Sequence, residues 1–434
     1  MSTPAPGSRI GLVDLVAYGA LGLPLAALNL PLALYIPTYY TSELGVGLFG
    51  VGIAIAAARI LDLVTDPLLG ALSDRLPGSF GRRKTAILIG VPIMLLATHF
   101  LFRPDVGAGA GYLFFWCSIA YLGWTLVILA YSAWGAEIST DYHERSRIAT
   151  ARESAVIVGV MIAAAAPVIT GSGGEAGPAL SFIAISMTVL VPLTVLLLFW
   201  RTPEVAPEQA GSRGWKSGWQ ALLNNRPLRR LLFAHLLNGL ANGLPATLFL
   251  LFVTHRLAAP EWTGIFLLAY FASGVLAAPF WLRLSYRIGK HRAWATALGW
   301  AAIMFSVAPF LGEGDILPFA AMAILSGASL GADLALPASM HADMVDLDAE
   351  LSGRRRAGFL FALWGMATKL SLALAVLFAF GGLEMAGFDQ ETGENSLPLA
   401  LLYGALPVPF KLAAVLLVWR FDEAPRPGAR SVSS

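Results

Sequence analysis

Residues 51–75 read VGIAIAAARILDLVTDPLLGALSDR, and this stretch decides how the rest of the chain is read. It is long and apolar enough to cross a bilayer, which takes about 20 residues. Yet Asp62 and Asp66 stand inside it. Residues four apart lie on one face of a helix, so both carboxylates point the same way. A charge near the bilayer centre costs roughly 2.5–3.5 kcal/mol on insertion scales. Two on one helix demand compensation from a cation, from an Arg or Lys on a neighbouring helix, or from a water-filled cavity. The pair therefore points to cation-coupled transport rather than to membrane residence alone.

The remaining composition agrees. Of 434 residues, 57% are hydrophobic and 13% charged, about half the charge of a soluble domain. A net charge of +2 argues against a nucleic-acid partner. Cys117, alone of its kind, excludes an internal disulfide framework and reads as a packing residue. The opening MSTPAPGSRIGLVD lacks the charged start, short apolar core and cleavage site of a signal peptide, so the first span is expected to direct insertion.

Apolar runs punctuated by Gly, Pro and charge predict twelve spans, at 12–38, 46–73, 85–103, 109–139, 147–170, 178–200, 229–254, 262–286, 292–311, 316–343, 355–382 and 397–420. Several exceed the crossing length, so tilted or protruding helices are expected. Basic residues orient them. Arg75, Arg82, Arg83 and Lys84 follow the second span, His143, Arg145 and Arg147 the fourth, Arg283, Arg287, Lys290 and Arg292 the eighth, and Arg354, Arg355 and Arg356 the tenth. The alternate loops carry only Arg103 and Arg256 among acids such as Glu43, Asp105, Glu175, Glu313 and Asp315. The positive-inside rule then places both termini in the cytoplasm. The polar interval 201–228, with Pro203, Pro207, Gly211 and Gly214, reads as a cytoplasmic linker between a six-helix bundle at 1–200 and another at 229–421, with 422–434 as a tail. The halves echo each other: GALSDRLPGSFGRRK at 70–84 has a counterpart in LRLSYRIGKHR at 282–292. Two related halves about a central pathway is a transporter plan.

With these motifs in place, the chain resembles the major facilitator superfamily, through the loop signature Gly70, Asp74, Arg75, Gly81, Arg82, Arg83 and Lys84, interrupted by an insertion at 76–80. More narrowly it resembles the glycoside-pentoside-hexuronide:cation symporters, the melibiose-carrier group. That resemblance rests on ARILDLVTDPLLG at 58–70, AYSAWGAEISTDYHERSRIATAR at 130–152 and ADMVDLDAELSGRRRAGFLFALWGMATK at 342–369. It implies an all-α fold of twelve transmembrane helices in two six-helix halves, working as a monomer. It also implies a coupling cation, usually sodium, at Asp62 and Asp66, with Thr125 and Thr65 as further oxygen ligands. Hard cations favour such oxygens. Lys369 matches the span-eleven lysine beside the cation and substrate sites, and Arg152 the span-five arginine near the substrate path. The sugar-holding acids of that group are missing: the matching stretches are GLPL at 22–25 and VIL at 127–129. A related branch with this cation pattern moves lysophospholipids, so an amphipathic substrate with an anionic headgroup is expected beside small organic solutes.

Other polar and aromatic residues divide by role. Tyr131, Trp134 and Trp364 are candidate cavity residues, as are Tyr18, Asn29, Asn238 and Asn242. Arg59, three residues before Asp62, is read as an organiser of the acids. Asp74, Arg75, Arg83 and Lys84, with Glu137, Asp141, Glu144 and Arg145, are read as a cytoplasmic gating network. Asp333 either faces a cavity or packs. Lys411, near a span end, is expected to snorkel to the interface. The six histidines show no metal-ligand spacing, and GSGGEAGPA at 171–179 is read as an outer loop rather than a phosphate cradle. Rival readings are a proton in place of sodium, taken up by a desolvated Asp66, a membrane-embedded lipid enzyme, and a non-transporting sensor. No nucleophile with an attendant His and acid supports the enzyme.

Overall fold

The computed structural model describes residues 10–75, 81–105, 107–138, 142–172, 175–202, 225–352, 357–389, 393 and 395–421. Among these, twelve helices are long and apolar enough to cross a membrane. They are α1 Leu12–Glu43, α2 Leu48–Arg75, α3 Arg82–Phe102, α4 Ala110–Glu137, α5 Tyr142–Thr170 and α6 Ala176–Arg201. They continue as α7 Arg226–Arg256, α8 Pro260–Ile288, α9 Lys290–Phe310, α10 Ile316–Ser352, α11 Ala357–Met385 and α12 Leu397–Trp419. A bilayer core offers the main chain no water, so each crossing segment must close its own hydrogen bonds as a helix. Leu, Ile, Val and Ala supply the apolar surface. Proline sits inside many of these helices, among them Pro92, Pro167, Pro192, Pro245, Pro279 and Pro337. The expected overrun beyond the bilayer is clearest in α10, at 37 residues.

Two local features recur at matching places along the chain. α1 and α7 each finish in a π-helical turn, Tyr39–Glu43 and Phe252–Arg256. α3 and α9 each begin on a glycine with positive φ, Gly81 at 95° and Gly289 at 89°. A side chain is strained in that region of φ, so glycine is the residue suited to both starts. Both glycines lie within the two stretches that echo each other in sequence.

The chain packs into two compact units. The first comprises Met1–Ala210, Ala246–Leu268 and Val376–Leu399, and the second Gly211–Pro245, Ala269–Ala375 and Ala400–Ser434. In the first, α4 packs along α3 and α2, and α1 along α5. In the second, α9 packs against α10 and α12. Trp294, Leu298, Leu336, Met340 and Leu360 are buried together in its core.

Candidate functional site

Asp62 is 2% exposed and Thr125, on α4, 1%. Thr125 Oγ1 donates to Asp62 Oδ1 at 2.9 Å. The two predicted ligands thus meet across α2 and α4. What brings α4 to this depth is a close crossing with α3. A Cβ on Gly123 would stand 2.6 Å from the Met94 main-chain nitrogen, and one on Gly90 would stand 2.8 Å from Val127. Only glycine at both places lets these backbones approach so nearly. Asp66, one turn beyond Asp62, is half-buried. Thr65 donates its hydroxyl to the Asp62 carbonyl oxygen at 3.1 Å, so its proton is committed to the helix main chain. Arg59 is 6% exposed, and its guanidinium carbon lies 4.5 Å over the Tyr121 ring. That cation–π contact holds the arginine beside the turn that carries Asp62. Cys117 is buried.

The aromatic candidates of this unit are committed to packing between helices. Tyr18 and Tyr131 hydrogen-bond reciprocally: Tyr18 Oη donates to the Tyr131 carbonyl at 3.1 Å and Tyr131 Oη to the Tyr18 carbonyl at 2.7 Å. Their rings lie 4.7 Å apart, and Tyr131 is 0% exposed. Trp134, also 0% exposed, lies 6.0 Å from Phe199. Lys84 stands 5.7 Å from both rings and donates to the Phe199 carbonyl at 3.3 Å. Arg152 binds Glu153 Oε1 through Nη2 at 2.7 Å and Nε at 3.1 Å, and reaches Ser132 Oγ at 3.4 Å.

At the basic end of this unit, Arg83 is 8% exposed. Glu144 takes two hydrogen bonds from Arg147, at 2.7 and 2.9 Å, and one from the Ile10 amide at 3.1 Å. Arg201 stands 3.8 Å from Asp14. Asp141, and the side chains of Asp74, Arg75, Glu137 and Arg145, lie outside the described residues, as do the insertion at 76–80 and most of the interval 201–228. At the opposite end, the Glu43 carboxylate accepts from the Ala176 amide at 2.6 Å. The start of α6, at Ala176 and Gly177, is thus anchored by a carboxylate.

The second unit corrects one expectation outright. Lys411 does not snorkel: it is 0% exposed. Its ammonium donates to Asn238 Oδ1 at 2.9 Å and to Asn242 Oδ1 at 2.8 Å, and lies 3.7 Å from Asp333 Oδ2. Asp333 in turn accepts from Trp294 Nε1 at 2.8 Å and Asn242 Nδ2 at 3.1 Å. Desolvating a charge is affordable where hydrogen bonds and a counter-charge surround it, and α7 and α10 provide both. The legible signal was the pair of asparagines one turn apart on α7, together with an acid inside α10. Trp364 is flanked by two histidines that the sequence did not single out. His235 stacks on it at 3.7 Å and 18°, and His341 lies at 4.6 Å and 32°. His235 Nε2 is 2.8 Å from Thr368 Oγ1. Lys369, next along α11, is half-buried.

Twelve spanning helices and an intramembrane carboxylate paired with a hydroxyl define a multi-pass membrane transporter of the major facilitator type. The chain belongs to the MFS/sugar transport protein family, whose model matches residues 17–422. It is 23% identical to the sodium-dependent lysophosphatidylcholine symporter 1 of Gallus gallus, over 96% of this chain and 88% of that protein. To the sphingosine-1-phosphate transporter MFSD2B of Mus musculus it is 25% identical, over 98% and 93%. To the putative glycoside/cation symporter YagG of Escherichia coli it is 27% identical, over 77% and 75%. Among solved structures, the nucleoside transporter NupG superposes with a TM-score of 0.69 at 14% identity, over 95% of this chain and 100% of that one. That likeness concerns fold alone. The family is one of transporters, not enzymes.

Proposed function

We propose that the protein is a cation-coupled symporter, with sodium as the coupling ion, that moves an amphipathic or small organic solute by alternating access. In this reading it works as a monomer of two six-helix halves, 1–200 and 229–421, in a bacterial-type cytoplasmic membrane with both termini and the linker 201–228 inside. The observation that carries it is the 2.9 Å hydrogen bond between Thr125 and the buried Asp62 carboxylate. The hydroxyl proton stabilises the carboxylate while no ion is present. When sodium arrives, the hydroxyl rotates and presents a lone pair, and Asp62, Asp66 and Thr125 give the hard oxygen set such an ion prefers. Neutralising the acids removes the electrostatic cost of keeping two like charges away from water during the conformational exchange. Substrate and ion each favour the state the other binds, and that coupling is reciprocal.

Lysolipid-like cargo is the favoured class. The relatives include transporters named for lysophosphatidylcholine and sphingosine-1-phosphate, and the spans of this chain that match the sugar-holding stretches carry no acid there. Lys369 and Arg152 are the cations proposed to meet an anionic headgroup.

The test is the melting temperature of purified protein against sodium, lithium and pH, for wild type and Asp62→Asn, since a ligand of the folded state raises it. A saturable sodium-dependent rise that the substitution abolishes is expected. A response to pH alone, equally lost in Asp62→Asn, would replace sodium by a proton. A sodium response that survives Asp62→Asn would remove the ion from this site.

A further inference from the structure

The second unit encloses an arrangement that the ion-coupling chemistry does not use. Lys411 Nζ sits in a nest of oxygens from two other helices: Asn238 Oδ1 at 2.9 Å and Asn242 Oδ1 at 2.8 Å from α7, and Asp333 Oδ2 at 3.7 Å from α10. Asn238 is 4% exposed and Lys411 0%. The Asn242 amide cannot be turned the other way without cost. Asn242 accepts from the ammonium through Oδ1 while Nδ2 donates to Asp333, and Trp294 occupies the other carboxylate oxygen. The nest is therefore built for a positive guest. Its contacting groups, two neutral carbonyl oxygens and one carboxylate, are of the chemical kind that binds a monovalent cation. A lysine ammonium is such a cation, delivered on a tether.

We infer that Lys411 is a built-in cation that permanently fills a monovalent-cation site in the second unit, so that the exchangeable coupling ion is carried at Asp62 and Asp66 and no second one binds at Asp333. The inference rests on the ion-coupling role proposed above for the acid pair. A transporter in which a mobile ion charges one acid site while a tethered ion charges another moves one coupling ion per cycle through these two places. It also keeps the Asp333 region charge-balanced whether or not sodium is present.

Removing the tether should turn the nest into a site for a soluble guest. Lys411→Ala deletes three methylenes and the ammonium, which is the shape of n-propylammonium. Purified full-length Lys411→Ala is expected to melt below wild type, with the lost temperature recovered in a saturable manner by n-propylammonium. Wild type should not respond to that ion. The neutral isostere n-butane-sized alcohol, n-propanol, serves as control and should not rescue. In parallel, radiolabelled sodium should bind wild type at one ion per chain, and Asp62→Asn should abolish it. An equal response of wild type and Lys411→Ala to n-propylammonium would overturn the inference, as would a second sodium in wild type that Asp333→Asn removes. Absence of any sodium binding would defeat the ion-coupling reading but leave the n-propylammonium result to decide the nest. Should Lys411→Ala fail to fold, Lys411→Met and the pair Lys411→Met/Asp333→Asn replace it. The pair should melt above the single variant because no uncompensated carboxylate remains, and the reverse order would count against the tethered cation.

Discussion

Thr125 offers its hydroxyl to the Asp62 carboxylate from another helix, whereas Thr65 offers its own to the main chain of α2. The two threonines, equivalent as expected ligands, therefore predict different outcomes. Thr125→Val keeps the shape and removes the donor, so the buried carboxylate loses one hydrogen bond, at a cost of about 1–3 kcal/mol. The same change deletes an ion ligand, so the sodium midpoint in a thermal-shift titration should weaken by about tenfold, or ~1.4 kcal/mol. Thr125→Ser should stay near wild type, and Thr65→Val should move the midpoint far less. A larger effect at Thr65 would shift the ion along α2, away from α4. At this scale the sequence was informative where chemistry is expensive. Two acids in a span are costly enough to announce themselves, whereas Thr125 was suggested by the family resemblance alone, since a hydroxyl in a span can always bond to its own helix. Lys411 was misread because distance from a helix end says whether a lysine can reach water, not whether something better is waiting inside. The oxygens that hold it come from positions 238, 242 and 333, far away in the chain. His235 and His341 escaped notice for a related reason: their contacts with Trp364 depend on three helices meeting.

Helices set where those side chains can meet, and the α3–α4 crossing is the element on which the Asp62–Thr125 contact depends. Gly123 lies two residues before Thr125 and faces the Met94 backbone, which cannot retreat as a flexible side chain would. Gly123→Val should cost about 1–3 kcal/mol by overpacking, and it should weaken the sodium response as well, because α4 must move and carries Thr125 with it. Gly299, on α9, has nothing within 4 Å of a Cβ. Gly299→Ala should hold or raise stability by up to about 1 kcal/mol, the ordinary gain from removing glycine within a helix. Melting temperatures and sodium midpoints of the two variants decide it, and a Gly123→Val protein with normal melting and normal sodium affinity would mean that the crossing does not position the site. Element identity was readable from apolar run length, and the repeat around Gly81 and Gly289 from local sequence. The π turns ending α1 and α7 were not readable, because one extra residue in a turn leaves no compositional mark. The committed packing of Tyr131 and Trp134 was equally hidden, since an aromatic residue in a span looks the same whether it lines a path or closes a helix contact.

Across the whole molecule, charge makes the strongest statement, because insertion sorts basic from acidic loops. Arg287 lies in the last turn of α8 within a basic cluster, and Glu313 precedes α10 beside Asp315; Arg287 and Glu313 are both exposed. Cys117, the sole cysteine in the sequence, is fully buried, so an introduced thiol can be read against a silent background. In intact cells a membrane-impermeant maleimide should label Glu313→Cys and spare Arg287→Cys, which should react once the cells are permeabilised. Both sites carry charges of the sign their side of the membrane favours, so a cysteine at either removes only one vote among many and should leave the orientation unchanged. The opposite pattern would invert the molecule and place the termini outside. A sodium gradient, directed inward in most cells, would then drive the solute from the face that the proposed orientation assigns to the cytoplasm. Labelling of both sites in intact cells would instead break the alternation of loops on which the twelve-span orientation depends. The pattern thus tests, with two substitutions remote from any proposed ligand, the direction in which the acid pair on α2 first meets its ion.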